Sequence, residues 1–541
     1  MKYNFLIKPK TVLKMILLLV LFTGFQSCLK DKFNFDRMAQ VEWEPTLAAP
    51  LLHTKLTLWD ALNDWDISHL FVQDQTHFLT LMYRGTVFSQ TANQLITIPD
   101  QSFPAINHNF DNITPQQEVE FIFNIDYNSS NSDSIYEIYV KQGNWNLNYN
   151  SNLKENATIT INFPTITKIT DNSPLSFIDS IASGNQSVNH QSNLAGYKIV
   201  LNHHRLPCNL KVRFQTGVVT TNNTINITND VSNILYSKLV GYFSQPAFDI
   251  LKDTVYLDIF KRNLSGRFTI VDPQLNIYVS NSYGFPINIA FTQFASYRSV
   301  APLSTVPISG SGFLNPWTIN SPTLAQSGQT LITPLLLNKN TSNIDDAINI
   351  SPQYIVYNTS ALGNPAGFIS GAPNFVLDTS KFKVDVDVEL PLYGKAIDFT
   401  VQDTFKMEEF KTENRDKIDW AAIRVITTNG FPVDVNLQLI FTDTLYNRID
   451  SLYLNGDDNQ IISSGILGVA PDYRVIMPYI KRSETTISGE RINYMIAHDV
   501  KKVLLKAVLN TANNHGTDVK FFSDYAIDVK VGVKTHLKIK Y

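Results

Sequence analysis

The stretch KFKVDVDVEL, residues 381–390, alternates without a break. Phe382, Val384, Val386, Val388 and Leu390 fall on one side, and Lys383, Asp385, Asp387 and Glu389 on the other. Successive side chains of a strand point to opposite faces, so this pattern predicts a half-buried strand of an antiparallel sheet with one wet side. NATITINF (156–163), TVYLDIF (254–260), QLNIYVS (274–280), DVNLQLIF (434–441) and YAIDVKVGVKTHLKIKY (525–541) follow the same rule. Helical spacing is rare. LTLWDALNDWD (56–66), SNIDDAI (342–348) and ERINYMIAHDV (490–500) are the short helices expected. The fold class predicted is mainly β, built of tandem antiparallel β-sandwich domains with a few short helices.

The chain also repeats itself. LNIYVSNSYGFPINIAF (275–291) aligns without a gap on AIRVITTNGFPVDVNL (422–437), pairing Ile277 with Ile423, Val279 with Val425, and Gly284-Phe285-Pro286 with Gly430-Phe431-Pro432. Each copy reads as strand, turn, strand, with the glycine expected at a positive-φ turn position and the proline at the start of the second strand. A looser third copy is WNLNYNSNLKENATITI (145–161). The pattern Asp-Ser/Thr-aliphatic-Tyr recurs as DSIY (133–136), DTVY (253–256), DTLY (443–446) and DSLY (450–453), each read as a turn that opens a strand. The two signatures together predict sandwich units of ordinary domain size.

The hairpin NIYVSNSYGFPINI resembles the strand-turn-strand of LEA2-type, immunoglobulin-like modules. WEPTLAAPLLHTKLTLWDAL (43–62), SNSYGFPINI (280–289) and VELPLYGKAIDF (388–399) resemble phrases of large Bacteroidota lipoproteins of unknown function. That resemblance implies a fold and a compartment, and no activity.

The N-terminus supplies its own compartment signal. Lys2, Lys8, Lys10 and Lys14 precede a short apolar core from Met15 to Phe22. That core is too short to span a bilayer, which takes about 20 apolar residues, and reads as a secretory leader. It ends at Phe25-Gln26-Ser27-Cys28, which resembles a loosened bacterial lipobox. By that resemblance the leader is cut before Cys28, and Cys28 carries the lipid. Two or more acyl chains anchor stably where one does not. Leu29 after the cysteine favours the outer membrane by analogy with known sorting rules, with cell surface and periplasmic face both open.

Bulk composition narrows the partners. The 541 residues carry a net charge of −4 with no block of like charge, so nucleic-acid binding lacks its electrostatic footprint. Charged residues make up only 17% of the chain, and asparagine and threonine are abundant, which means a largely uncharged polar surface. There are two cysteines. With Cys28 acylated, Cys208 has no disulfide partner and reads as a small buried hydrophobe.

Searching for chemistry gives little. The sequence holds no Gly-x-Ser-x-Gly elbow, no Gly-rich phosphate loop, no HExxH and no CxxC. His203-His204, near Cys208, is the one local cluster of metal-ligand types; read on a strand, the two rings point to opposite faces and cannot chelate together. Asp385, Asp387 and Glu389 share a strand face, where paired carboxylates could serve glycoside hydrolysis but a solvated face accounts for them better. NGDDNQ (455–460) reads as a turn rather than a calcium loop. His498-Asp499 has no marked nucleophile beside it. Of the six tryptophans, Trp43, Trp59 and Trp65 crowd the N-terminal part, and Trp145, Trp317 and Trp420 stand singly; core filling is favoured over stacking on sugars. The terminal VGVKTHLKIKY resembles the last strand of an outer-membrane barrel, but the strands elsewhere are too short and irregular for one.

The expected organisation is a lipoprotein signal peptide (1–27), a tether (28–40), an N-terminal module (41–115) and β-sandwich modules at 116–250, 251–395 and 396–541. The expected function is that of a non-enzymatic lipoprotein anchored in the outer membrane, serving as a structural or interaction subunit of an assembly, secretion or uptake complex. Its partners would be the membrane, through the lipid on Cys28, and an outer-membrane protein complex. No cofactor, catalytic residue or metal is assigned. Two rival readings are a glycan-binding or adhesive surface lipoprotein, whose partner would be a glycan, and a β-sandwich hydrolase with carboxylates from distant strands. A weaker one is a lipid-handling module, which needs a long apolar tunnel.

Overall fold

A computed structural model describes residues 42–540, apart from short stretches at 61–69, 111–117, 129–132, 216–222, 249, 251, 258–259, 261–262, 407–416, 471–472 and 513–515. The leader, the tether and Cys28 lie outside the described residues. The chain is mainly β, and its strands pair antiparallel throughout. Lys381–Pro391 buries Phe382, Val384, Val388 and Leu390, as its alternation requires.

The strands form three two-layered units. In the first, Ile106–Phe110, Asn223–Tyr242, Ser134–Leu153 and Gly184–Asn193 make one layer, and Glu118–Asp126, Arg205–Phe214, Ala157–Lys168 and Pro174–Ile181 the other. Aromatic rings lock the layers together: Trp145 meets Phe163 edge-on at 4.7 Å, and Phe110 meets Phe121 at 5.6 Å. The short strand Tyr197–Val200 pairs with both layers and closes one corner.

In the middle unit, Leu79–Thr91, Lys381–Pro391, Gln274–Asn281 and Leu331–Leu337 face Tyr354–Gly363 and Ile287–Arg298 with their short partners. Between them lies an apolar cavity of about 40 Å³, lined by Val87, Leu275, Ile277, Phe291, Trp317 and Val386 among others. That volume is far below what an acyl chain requires.

In the last unit, Thr46–Thr57, Ala526–Leu537, Ile418–Asn429 and Tyr479–Ser488 form one sheet, and Asn263–Ile270, Tyr393–Lys406, Lys502–Thr511 and Val433–Thr442 form the other. The barrel-like terminal strand is thus an inner strand of this four-stranded sheet.

Among the described residues, 41–115 forms no sheet of its own. It deals its strands out to all three units, in reverse order. Thr46–Thr57 pairs with Ala526–Leu537 in the last unit, and Leu79–Thr91 with Lys381–Pro391 in the middle one. Ile106–Phe110 then pairs with Asn223–Tyr242 in the first. Among the described residues of 41–115, only Phe71–Gln73 and Leu79–Thr91 pair with each other, so the other backbone donors and acceptors must be satisfied farther along the chain. Main-chain bonds weld the joints. Leu79 N donates to Phe521 O at 3.1 Å and Phe521 N to Leu392 O at 2.9 Å between middle and last units. Asn374–Leu377 pairs with Asn223–Tyr242 between middle and first.

Two repeat-based expectations change. The Gly-Phe-Pro segments are not hairpins. Gln274–Asn281 and Ile287–Arg298 lie in opposite layers of the middle unit, and Ile418–Asn429 and Val433–Thr442 in opposite layers of the last, so each copy arches across its core. Nor does either glycine sit at positive φ. Each is there for room: a Cβ on Gly284 would enter the Phe375 ring, and one on Gly430 would come within 2.9 Å of Ala526 O. What pins each arch is a fully buried asparagine. Asn281 Nδ2 donates to Phe285 O and Asn320 O, and Asn429 Nδ2 to Phe431 O, Val433 O and Ser463 O. Of the Asp-Ser/Thr-aliphatic-Tyr segments, 133–136 opens a strand and 253–256 is one, whereas 443–446 is a turn and 450–453 ends a strand.

The expected short helices are found at Ile344–Asn349 and Gly489–Ala497, the second capped by Ser488 Oγ accepting from Arg491 N. At 56–66, the described residues show helix only from Leu58, where Thr57 and Asp60 cap reciprocally. No helix among the described residues is long and apolar enough to cross a membrane.

Candidate functional site

The strand Ser134–Leu153 contains NWNLNYNSN, residues 144–152. Trp145, Leu147 and Tyr149 fill the core of the first unit and are at most 1% exposed. Period-two geometry then turns Asn144, Asn146, Asn148, Asn150 and Asn152 outward as one row. The strands on either side continue it in register. Asn185, Ser187, Asn189, Gln191 and Asn193 stand opposite the row on one side, and Asn226, Thr228, Asp230 and Ser232 on the other. Asn107 and Asn109 extend the face onto a fourth strand. Strands lie roughly 4.8 Å apart and alternate residues roughly 6.7 Å apart along each, so the face is a grid of amides and hydroxyls.

The grid is partly self-bonded. Asn189 Nδ2 donates to Asn148 Oδ1, and Asn226 Nδ2 to Asn107 Oδ1. Asn146 Nδ2 donates to Asp230 Oδ2 at 2.6 Å, which engages the one carboxylate among these residues. Lys154 Nζ marks one end by donating to Asn152 Oδ1 at 2.9 Å. Beside it, Asn150, Asn152, Asn185, Ser187, Thr224 and Asn226 enclose an open trough of about 280 Å³. Asparagine is depleted from strands, so this repetition is not what sheet formation selects. Sequence reasoning took this stretch as a loose repeat copy; the signal available was asparagine at every second position.

The other singled-out residues go elsewhere. His203 and His204 are not on a strand. They form the two-residue turn of a hairpin, with φ of 50° and 64°, closed by Asn202 and Arg205 bonding to each other in both directions. His203 bonds to Asn202 and His204 to Ser134. No group of three or more metal-ligating side chains occurs among the described residues. Cys208 is a free, buried thiol pushed up to about 12 by burial, which leaves it unreactive.

Asp385, Asp387 and Glu389 lie on the outer face of the middle unit. Asp385 pairs with Lys383 at 2.8 Å and accepts from Thr86 Oγ1 at 2.6 Å, and Asp387 pairs with Arg84 at 3.2 Å. Burial pushes the Asp385 carboxyl up, but the Lys383 and Thr86 bonds outweigh it and hold it below its ordinary value. In 455–460, Asp457 caps the turn by accepting from Leu454 N, and Asp458 pairs with Lys481 at 3.0 Å. His498 Nδ1 donates to Tyr494 O at 2.9 Å, and Asp499 pairs with Lys501 at 2.8 Å. Trp145 and Trp317 are core residues. Trp43 is exposed, Trp59 half-buried, and Trp420 half-buried beneath a stacked His536 ring at 5.6 Å. Trp65 lies outside the described residues.

No known protein family and no curated protein sequence matches the chain. Among solved structures it is similar to a protein of Parabacteroides distasonis described as secreted, at 11% identity, with 55% of this chain and 82% of that one covered and a TM-score of 0.27. It is also similar to the infectious bursal disease virus Gx strain structure, at 10% identity, with 83% of both chains covered and a TM-score of 0.12. Likeness at these scores carries no functional argument.

Proposed function

We propose that the chain is a non-enzymatic lipoprotein, tethered to the outer membrane through Cys28, that works as a structural or interaction subunit and holds its first sandwich away from the bilayer. The observation that carries this is the path of the N-terminal segment. Glu42–Trp43 pairs with Ile539–Lys540 at the edge of the last unit. From there the chain runs through the last, the middle and then the first unit, adding strands to each in turn. On this reading the lipidated end of the chain enters the fold at the last unit, and the first unit with its amide grid is reached last along that path. Main-chain bonds tie each unit to the next, and bending at those joints would break paired backbone groups.

The test is display and capture. The chain, tagged at its C-terminus, is expressed in a Bacteroidota host, intact cells are treated with protease, and Cys28→Ala runs in parallel. The expected result is membrane attachment that Cys28→Ala abolishes, together with a stoichiometric membrane protein co-purifying from detergent-solubilised outer membrane. Unchanged attachment of Cys28→Ala sinks the lipoprotein reading. Loss of the tag on shaving places the protein on the surface, and a protected tag on the periplasmic face.

A further inference from the structure

From the amide grid of the first unit we infer a binding face for a neutral, hydroxyl-rich polysaccharide. This deepens the interaction role proposed above, and rests on it only for where the ligand is met.

Three properties of the face select the ligand. The first is charge. Charged side chains are few: Asp230 is the one carboxylate in the grid and is already bonded to Asn146, and Lys154 stands at one end bonded to Asn152, so a charged polymer finds no row of opposite charges to pair with. The second is the lack of an apolar anchor. Protein interfaces gather their energy in buried aromatic and aliphatic residues, and every outward position from Asn144 to Asn152, and from Asn185 to Asn193 opposite, is amide or hydroxyl. The third is valence. Each asparagine offers two donors and an acceptor with two lone pairs, and each serine or threonine offers one donor and two acceptor sites. A sugar hydroxyl both donates and accepts, so a row of them can use both halves of the amides. The Asn189–Asn148 and Asn226–Asn107 bonds fix those amides in place before any ligand arrives, which lowers the ordering cost on binding. The trough bounded by Asn150, Asn185 and Asn226 gives a concave seat on an otherwise flat face.

The contrast with the middle unit argues that this is not simply a wet surface. There the solvated face is built of ion pairs, Arg84 with Asp387 and Lys383 with Asp385. The same chain thus solves the same solubility problem with charge in one place, and with strand-disfavoured asparagine in another.

The test is affinity electrophoresis of the full chain, solubilised in detergent, through gels containing starch, mannan, xylan or a soluble β-glucan, with alginate as the anionic control. At least one neutral polymer should retard the protein, equally at low and at molar salt. The Asn148→Ala, Asn150→Ala, Asn226→Ala triple variant should bind at least about tenfold more weakly, since each lost bond is worth about 0.5–1.5 kcal/mol. These side chains point to solvent, so the variant should keep its circular dichroism and melting curve. An Arg84→Ala, Asp387→Ala variant should bind as the native chain does. Retardation by alginate alone, by none of the polymers, or undiminished in the triple variant would overturn the inference. So would sedimentation showing that the native chain dimerises and the triple variant does not, which would make a second copy the occupant. The assay uses protein in solution, so its failure is separable from failure of the tether, which the Cys28→Ala fractionation reads.

Discussion

The outer faces of the first and middle units do the same structural work with different chemistry. Both cover a sandwich core, and both alternate outward polar with inward apolar residues. The middle unit's face is salted with Arg84, Lys383, Asp385 and Asp387, each engaged by a partner of opposite charge. The first unit's face is paved with asparagine. Charge gives a face that ordinary proteins use to stay soluble and apart. Neutral amides give hydrogen-bonding capacity without direction from charge, at the cost of poor strand propensity. The lesson is that a wet face should be judged by its kind of polarity.

The comparison can be broken at four points. The largest effect should come from beneath the amide face. Trp145→Ala removes a side chain with no solvent exposure and should cost about 3–5 kcal/mol in urea denaturation. A loss below about 1 kcal/mol would mean that the grid does not rest on a tight core. Next, Asn146→Thr, Asn148→Thr and Asn150→Thr together should stabilise the chain by up to about 1 kcal/mol, since threonine favours strands, while polysaccharide retention falls. Destabilisation would show that the asparagines serve the sheet itself. Third, Arg84→Ala on the charged face should cost about 0–1 kcal/mol at low salt and nothing measurable at high salt. The amide substitutions should show no such salt dependence.

The smallest effect is in pH. Asp385 is held below its ordinary range in the folded chain, so it binds fewer protons folded than unfolded. Its contribution is present above the ordinary carboxylate value and is lost as pH falls through the folded value, below about pH 4. Asp385→Asn should flatten that acid limb of the melting temperature, and the triple threonine variant should leave it unchanged.

Much of the fold was legible because a period of two is a local signal. The alternation at 381–390 named both the buried side and the wet side of its strand. Pairing was not legible. Nothing in LLHTKLT says that its partners lie near residue 530, and so 41–115 looked like a module. The Gly-Phe-Pro repeat located two arches but misassigned the glycine, because a close approach to Phe375 depends on a strand some ninety residues away, outside any local window. The histidine pair looked like strand residues for want of the usual Asn-Gly turn signature. The amide grid was half legible. Its central row is written in the sequence, but only the register of the neighbouring strands turns five asparagines into a surface.

The reverse threading of the N-terminal segment also has a kinetic side. Thr46 and His536 are hydrogen-bonded across 490 positions of chain. The first strands to be synthesised therefore wait, unpaired, for nearly the last. Contacts of such separation form slowly, because loop closure must precede the gain from pairing. Until Ala526–Leu537 arrives, Thr46–Thr57 and Ile418–Asn429 both lack the strand that lies between them. The sheet that takes in the N-terminal strand is thus the last to be finished. A chain cut short by a few tens of residues would carry open sheet edges in its last unit, and open edges invite aggregation and proteolysis. The topology makes arrival of the strand Ala526–Leu537 a condition for closing the sheet that the strand Thr46–Thr57 joins.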